Sequence, residues 1–216
     1  MIDYKKYNLI TKNENSDLFD LQESIIDSNS ISEVDKVIRL VLLLSQSPIA
    51  DHETAIKLLF DFSKCNLDER VLILGAEFNS FLPIYTPNPF IQNLVEKFDC
   101  YANKEKSIIK YLEAINLNNS IIKQRKNVST IVVQLLKESI RLECSYVNNY
   151  YRLALLSKRS DAKQLMEIAL SNVMHIYNDI TFEELLSYEN YIDDFITGIK
   201  PSKEHYELLE EFYKSL

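Results

Sequence analysis

The stretch SEVDKVIRLVLLLSQSPIADHETAIKLLFDFSK, residues 32–64, decides how the rest of the chain is interpreted. In two of its segments, apolar residues recur at positions i, i+3, i+4 and i+7, which places four side chains on one face of an α-helix. Ser32 and Asp51 precede these segments as N-cap residues, because their side-chain oxygens can accept hydrogen bonds from first-turn N–H groups. The stretch therefore predicts a helical hairpin. Its two apolar groups are Val34, Val37, Ile38 and Val41, then Ala55, Leu58, Leu59 and Phe62.

The same pattern recurs along the chain at a nearly constant interval. First-helix groups begin at residues 34, 71, 108 and 147, which are 37, 37 and 39 residues apart. Second-helix groups begin at residues 55, 91, 128 and 165, which are 36, 37 and 37 residues apart. One hairpin cannot bury its apolar faces alone, whereas stacked copies can, and a period of this size is typical of helical repeats. We therefore expect an all-α fold, an α-solenoid-like stack of about four to five helical hairpins.

The six later groups have the spacing of the first hairpin. Three prolines within residues 82–89 predict a turn between the second pair of helices, since proline breaks a helix interior. A less regular helix is expected after Thr181, with Phe182, Leu185 and Leu186 on one side. The six groups are Val71, Leu74, Gly75 and Phe78; Ile91, Leu94, Val95 and Phe98; Ile108, Tyr111, Leu112 and Ile115; Val128, Ile131, Val132 and Leu135; Val147, Tyr150, Tyr151 and Ala154; Leu165, Ile168, Ala169 and Asn172.

The two ends of the chain differ from this pattern. Residues 1–15 are polar and aperiodic, which predicts an N-terminal arm, and a helix capped by Ser16 is expected from residue 17 to residue 27. Residues 16–216 are expected to form a single helical-repeat domain. Its last helix, at about residues 201–215, would act as a cap with a polar outer face, and Pro201 fits its first turn.

Two short segments resemble known helical-repeat families. Residues 68–76, DERVLILGA, look like the start of a HEAT-type second helix, in which an acidic residue and Arg precede an aliphatic face. Residues 111–118, YLEAINLN, more weakly resemble the end of a tetratricopeptide repeat, without the Trp, Gly and Pro of that family. The resemblance covers about residues 32–175. It implies a HEAT-like right-handed superhelix, and proteins of both families usually bind other proteins.

Charge is distributed in blocks along the chain, whose formal net charge is −8. Residues 1–103 carry a net charge of −7, residues 104–163 carry +7, and residues 164–216 carry −8. One interpretation is that acidic and basic turns of a superhelix neutralise one another. The other is that the acidic ends form a docking surface for a basic partner, which leaves the role of the basic block 104–163 open.

The C-terminal acidic block supplies the candidate site. Carboxylates beside tyrosines suit protein recognition, because the rings provide apolar area and the charges raise the association rate and select the sign of the partner. The alternative is an ordinary solvated helix face. The candidate protein-binding residues are Glu183, Glu184, Tyr188, Glu189, Tyr191, Asp193 and Asp194.

Other kinds of site find little support in the sequence. The basic run 123–126 and the pair Lys158 and Arg159 could contact phosphates, and Tyr146, Tyr150 and Tyr151 could stack on bases. A pI near 5.0 opposes nucleic-acid binding, and core packing of Tyr150 and Tyr151 is preferred. The three cysteines have no metal or redox spacing and are expected to be buried thiols in a reducing cytosol. His52, His175 and His205 stand alone, so no catalytic, cofactor-binding or metal-binding residue is assigned.

The sequence thus favours a non-enzymatic protein-binding helical-repeat protein. The specific hypothesis is a cytoplasmic inhibitor, such as an immunity protein that neutralises a basic toxin domain or another enzyme. A general scaffold or adaptor that binds a peptide in a solenoid groove is the first alternative. An α-helical hydrolase with a site around His175 is the second. Neither a signal peptide nor a membrane span is expected, and the oligomeric state is left open.

Overall fold

The structure, a computed structural model, describes residues 3–7, 9–45, 50–119, 126–177, 194 and 196–216, with only the backbone of residues 126–128. In these ranges the chain is helical and contains no β-strand, which confirms the predicted all-α class. Two short 3-10 helices, Tyr4–Lys6 and Phe98–Cys100, accompany the α-helices. The α-helices are α1 (Ser16–Asp27), α2 (Glu33–Ser45), α3 (His52–Ser63), α4 (Glu69–Phe81), α5 (Pro89–Glu96), α6 (Asn103–Asn119), α7 (Lys126–Leu142), α8 (Val147–Leu155), α9 (Arg159–Ser171) and α10 (Lys203–Ser215).

The chain divides into two compact units, Met1–Asn93 and Leu94–Leu216. In the first unit α2 packs against α1 and α3, and α3 packs against α4. In the second unit α7 packs against α6 and α8, and α9 packs against α8 and α10. Apart from α9 and α10, which are separated by residues 172–202, these pairs are consecutive in sequence, as short connections favour. The single domain over residues 16–216 stays a prediction, because a division into compact units does not test whether each folds alone.

The predicted helix starts agree with the observed caps except at α1 and α10. Pro201, predicted to lie in the first turn of the last helix, precedes that helix, which begins at Lys203 after the N-cap Ser202. The Ser32 hydroxyl accepts a hydrogen bond from the Asp35 N–H at 3.1 Å, and Asp51 accepts one from the Thr54 N–H at 3.0 Å. At α1 the cap is Asn15 rather than Ser16, since Asn15 Oδ1 accepts from the Leu18 N–H at 3.1 Å. An amide accepts this bond as well as a hydroxyl does, and the sequence therefore did not distinguish the two positions.

The described part of the N-terminal segment is attached to the first unit. Ile10 is buried, and both of its backbone polar groups are bonded to the side chain of Gln22, at 3.0 and 3.1 Å. The Tyr7 hydroxyl donates to a carboxylate oxygen of Asp61 at 2.9 Å. Residues predicted as an arm therefore pack on α1 and α3 through a few specific bonds, which hydrophobic periodicity does not reveal.

The apolar groups face inward in some helices but not in others. All four members of the α3 group are buried, as are the four residues predicted to line α6. In α7, by contrast, Ile131 is exposed and the buried face is formed by Val132, Leu136 and Ser139. In α9 the fully buried residues are Ala162, Met166 and Ala169, so that of the predicted group only Ala169 is buried, while Leu165 and Ile168 pack partly buried against the same core.

A pair of buried serines explains the error at α7. Ser107 on α6 and Ser139 on α7 each donate a hydroxyl hydrogen bond to the other's backbone carbonyl, at 2.9 and 2.6 Å. A count of apolar residues does not include a serine, although this small side chain lets two helices approach closely. At the second hairpin, Val95 is exposed, Phe98 lies beyond α5, and Pro89 is the first residue of that helix rather than part of the turn.

The cysteines also depart from expectation. Cys65, Cys100 and Cys144 are free thiols, and all three are exposed rather than buried. Each lies outside the α-helices, in a connection or in the second 3-10 helix, and therefore not on the buried side of an amphipathic α-helix. The loop residues 46–49, most of the basic run 123–126 and the helix predicted after Thr181 lie outside the described residues.

Candidate protein-binding surface

Helix α10 packs on the second unit through one side only. Leu209, fully buried, joins a core cluster with residues of α8 and α9, and Phe212 and Leu216 pack against that cluster. The opposite side of α10 therefore faces away from this core, as expected for an amphipathic helix at a surface. The buried members of the cluster are Val147, Tyr150, Ala154, Ala162, Met166, Ala169 and Leu209.

The outward side of α10 carries an acidic stripe, which we define as Glu204, Glu207 and Glu211. All three are exposed, and their i, i+3, i+7 spacing places them on one helix face. Among the described residues none of the three forms an ion pair, whereas Glu210 beside them is bonded to Lys214 at 3.1 Å. Leu208 lies within the stripe and is 48% exposed. The surface thus combines uncompensated negative charge with one apolar contact.

A buried hydrogen-bond network fixes the first turn of α10. Asn148 Nδ2 on α8 donates to the Ile196 carbonyl at 2.8 Å, so its Oδ1 points toward His205 Nε2 at 2.9 Å. This orientation makes Nε2 the protonated nitrogen of the imidazole. Burial, together with the nearby Arg152 charge, lowers the pKa of His205 below its usual value, which favours the neutral ring.

The segment that leads into α10 packs tightly against Asn148 at Gly198. Gly198 has φ +74°, a conformation that residues with a Cβ rarely adopt. A Cβ at this position would also lie 2.6 Å from Asn148 Oδ1, so no larger residue fits without displacing the amide. Backbone bonds join the same segment to Tyr177, whose N–H donates to the Pro201 carbonyl at 3.1 Å and whose carbonyl accepts from Lys203 at 2.9 Å.

Backbone groups at both ends of α10 are hydrogen-bonded by side chains. The Ser202 hydroxyl caps the N-terminus by accepting from the His205 N–H at 3.2 Å. At the other end the Arg159 guanidinium donates to the carbonyl oxygens of Ser215, at 3.1 Å, and Leu216. A cation at the C-terminus and Glu204 in the first turn both complement the helix dipole. The stripe is therefore displayed on a helix held at each end.

The sequence-predicted binding residues are only partly covered by the structure. Asp194 is 7% exposed, and its carboxylate is 3.0 Å from the Lys200 ammonium, which raises the pKa of Lys200. Its charge is thus compensated within the fold rather than presented at the surface. The other six residues lie outside the described ranges: Glu183, Glu184, Tyr188, Glu189, Tyr191 and Asp193.

The acidic stripe is not among the binding residues predicted from the sequence, which gives α10 only a capping role. The helical spacing of the three glutamates indicates the stripe, because Glu204, Glu207 and Glu211 lie on the helix face opposite Leu209. The predicted site at residues 183–194 rests instead on carboxylates and tyrosines that lie close together in sequence. Spacing within a helix is the better criterion, because it shows whether charges share a face.

Several residues considered for other functions have structural surroundings of their own. Tyr150 is buried and Tyr151 packs partly buried against the same core cluster, which supports the core interpretation over base stacking, and Tyr146 is buried as well. His175 is exposed, and its ring meets that of Tyr177 edge to face, with ring centroids 5.0 Å apart.

Across the described ranges, His, Cys, Asp and Glu side chains form no group of three that could hold a metal ion. In the same ranges, no helix has both the length and the apolar character needed to cross a membrane.

The first unit has an exposed apolar surface at the end of α4. Phe81 and Leu82 are exposed there, next to a loop whose Tyr85 backbone is held by both polar atoms of the Asn79 amide, at 2.8 and 2.9 Å. The Tyr85 ring in turn stacks on Phe60 with ring centroids 4.0 Å apart. The loop is therefore held in place, and the four charged residues that act on Tyr85 are paired with one another, Lys57 with Glu53 and Lys64 with Asp61.

No protein-family model, curated protein sequence or solved structure matched this chain.

Proposed function

We propose that this chain is a non-enzymatic protein-binding protein, and specifically an inhibitor of the immunity type that neutralises a basic toxin domain or another basic enzyme. The observation that carries the proposal is the acidic stripe of α10, three exposed carboxylates on one helix face without ion-pair partners among the described residues. The six undescribed residues between Glu183 and Asp193 remain part of the proposed binding surface, on the strength of their sequence alone.

The chemistry of the stripe suits a basic partner. Aligned carboxylates attract a positively charged surface over roughly 10 Å at moderate salt, which raises the association rate and disfavours acidic partners. Leu208, within the stripe, adds apolar area that is removed from water when a complex forms. Binding by such a surface makes and breaks no covalent bond.

The attachment of α10 also favours binding. A helix held by the Asn148–His205 bond at one end and by Arg159 at the other has little freedom to lose on association. Preorganisation of this kind improves affinity because the ordering cost has already been met in the free protein. An inhibitor that must cover an active site benefits from such a fixed surface.

The finer description of the fold belongs to the same proposal. We take the helices to form a HEAT-like α-solenoid, a right-handed superhelix of hairpins. Support comes from the packing of consecutive helices within each unit and from the repeat interval of about 37 residues. Proteins built in this way commonly present extended binding surfaces.

The experiment is to mix the purified chain with the product of the neighbouring gene, the natural candidate for a partner of an inhibitor. We expect a stable complex and loss of that product's activity or toxicity. No complex and no protection would contradict the inhibitor function. The general adaptor with a peptide groove is distinguished by charge, because its binding would survive replacement of the α10 glutamates, whereas inhibitor binding would weaken and depend strongly on salt.

A further inference from the structure

The outward side of α7 carries two exposed cations, Lys137 and Arg141. They are four residues apart and therefore lie on one helix face, opposite the buried side chains of Val132, Leu136 and Ser139. Within the part of the chain that the structure describes, neither cation forms an ion pair or a hydrogen bond. The second unit therefore displays uncompensated positive charge on α7 as well as uncompensated negative charge on α10.

The same face of α7 lines an open groove of about 400 Å³, which we call the α7 groove. Val133 gives it a half-buried apolar surface. The carboxylate of Glu138 accepts a hydrogen bond from the Gln134 amide at 3.2 Å, so it is engaged within its own helix, whereas the two cations are not. The described lining residues are Thr130, Val133, Gln134, Lys137, Glu138 and Arg141.

The two cations match two glutamates of the acidic stripe in spacing. Glu207 and Glu211 are also four residues apart, so each pair spans about 6 Å along its helix axis, at 1.5 Å per residue. A helix that lies along α7 can therefore bring both carboxylates to both cations at the same time. Complementary charges in matching positions fix the orientation of a contact and disfavour other partners.

We propose that the α7 groove binds the acidic stripe of a second copy of this chain. Glu207 and Glu211 of one copy pair with Lys137 and Arg141 of the other, and Leu208 adds an apolar contact. Since the net charge of −8 makes two copies repel each other, a contact between them is favoured only where opposite charges meet. The contact joins two different surfaces, so it is head-to-tail and can add further copies.

Self-association of this kind deepens the proposed function, on which it rests for the role of the stripe. Exposed ion pairs stabilise a contact only modestly and are screened by salt. We therefore expect association at high protein concentration and low salt. A basic partner with more complementary charges would displace the second copy. Self-association would thus cover the stripe until such a partner competes for it.

The test is a charge swap, followed by sedimentation velocity of the full chain at low salt. Glu207→Lys/Glu211→Lys makes both surfaces positive, and Lys137→Glu/Arg141→Glu makes both negative. We expect each variant alone to associate at least about tenfold more weakly than the wild type. A mixture of the two variants should recover association, because each supplies the charge that the other lacks. All four positions are exposed, so the substitutions should leave the fold intact.

The matched control is Lys97→Glu/Lys158→Glu, which changes the net charge by the same amount at two exposed cations of the second unit outside α7. Its association should stay close to that of the wild type, and high salt should dissociate both. The proposal is overturned if the control loses association as fully as the α7 variant, or if the mixed variants do not associate. It is also overturned if the wild type stays monomeric, whether or not the groove binds a DNA oligonucleotide.

The inhibitor function is measured separately from self-association. Lys137→Glu/Arg141→Glu retains the acidic stripe and should still bind the neighbouring gene's product. A variant that no longer self-associates but still binds that product supports both proposals. Failure of self-association in the wild type leaves the inhibitor function standing, and failure to bind the product leaves the contact between copies standing.

Discussion

His205 Nε2 on α10 and Asn148 Oδ1 on α8 lie 2.9 Å apart, in a hydrogen bond between two helices of the second unit. The same asparagine donates to the Ile196 carbonyl, so one amide satisfies two partly or fully buried groups from different segments. An asparagine can do this because its oxygen accepts while its nitrogen donates. The position of the acidic stripe therefore depends on a residue remote from it in sequence.

Replacing Asn148 with Ala should destabilise the protein by about 2–4 kcal/mol, because both partners of the amide lose a hydrogen bond in a buried site. Urea unfolding followed by circular dichroism measures this change. Asn172→Ala is the matched control, since Asn172 is half-buried and donates to the Cys144 carbonyl at 3.1 Å. The control should cost no more than about 1.5 kcal/mol. Equal losses in the two variants would contradict the role given to Asn148.

The protonation of His205 should make stability fall in acid. Its pKa in the folded protein is lowered from 6.5 by burial and by the charge of Arg152. The unfolded chain therefore binds a proton at higher pH than the folded chain does. The contribution of neutral His205 is complete above about pH 6.5 and is lost as the pH falls through the folded-state pKa.

The measurement is the free energy of unfolding between pH 8 and pH 5 for the wild type and for His205→Gln. The difference between the two curves isolates this residue from other groups that titrate in the same range. We expect the wild type to lose more stability than the variant on acidification. Parallel curves would show that His205 is not protonated differently in the folded and unfolded states.

Glu77 on α4 should have the opposite pH dependence. This carboxyl group is partly buried and forms no hydrogen bond or ion pair within the part of the chain that the structure describes, and burial raises its pKa from 4.5 to about 7. The folded protein therefore retains a proton that the unfolded chain has released. Stability should fall by up to about 3 kcal/mol as the pH rises from about 4.5 to above 7.

Glu77→Gln removes this penalty and should be more stable than the wild type at pH 8, with little difference at pH 4.5. Thermal unfolding at the two pH values tests it. Glu23→Gln, at an exposed position of α1, serves as the control and should change stability by less than about 0.5 kcal/mol. A Glu77→Gln variant no more stable than this control at pH 8 would be inconsistent with a buried, uncompensated carboxylate.

Gly75→Ala should destabilise the first unit. A Cβ at Gly75 would lie 2.5 Å from ring carbons of Phe90, which is fully buried. Overpacking of this kind costs about 1–3 kcal/mol, which exceeds the gain of up to about 1 kcal/mol from placing alanine in a helix. Phe90→Leu should relieve the clash, so the double variant should lose less stability than the two single variants together. Additive losses would mean that the two side chains do not compete for the same space.

The helices could be predicted from sequence because amphipathic spacing and N-cap chemistry are local properties. Ser32, Asp51 and the α3 group illustrate this, since each depends on residues within a few turns. The buried faces of α7 and α9 could not be located in the same way. Which face is buried depends on the neighbouring helix, and the buried Ser139 lies opposite Ser107 of α6, with which it exchanges hydrogen bonds.

The candidate surface illustrates the same limit. The sequence indicates that residues 164–216 are acidic, but not which carboxylates are compensated. Asp194 meets Lys200 across a turn, a pairing that has no helical spacing to reveal it. The Asn148–His205 bond joins residues 57 positions apart, which no local pattern anticipates. Tertiary pairing decides which charges remain at the surface.

The most direct test of the proposed function is the association rate of the chain with the neighbouring gene's product, measured by stopped flow at low and at high salt. The protein is compared with Glu204→Gln/Glu207→Gln/Glu211→Gln, in which the stripe loses its charge but keeps its shape. The proposal predicts fast association at low salt for the wild type, and a decrease of about tenfold or more in the variant or at high salt. A rate unaffected by either change, or no association at all, would contradict it.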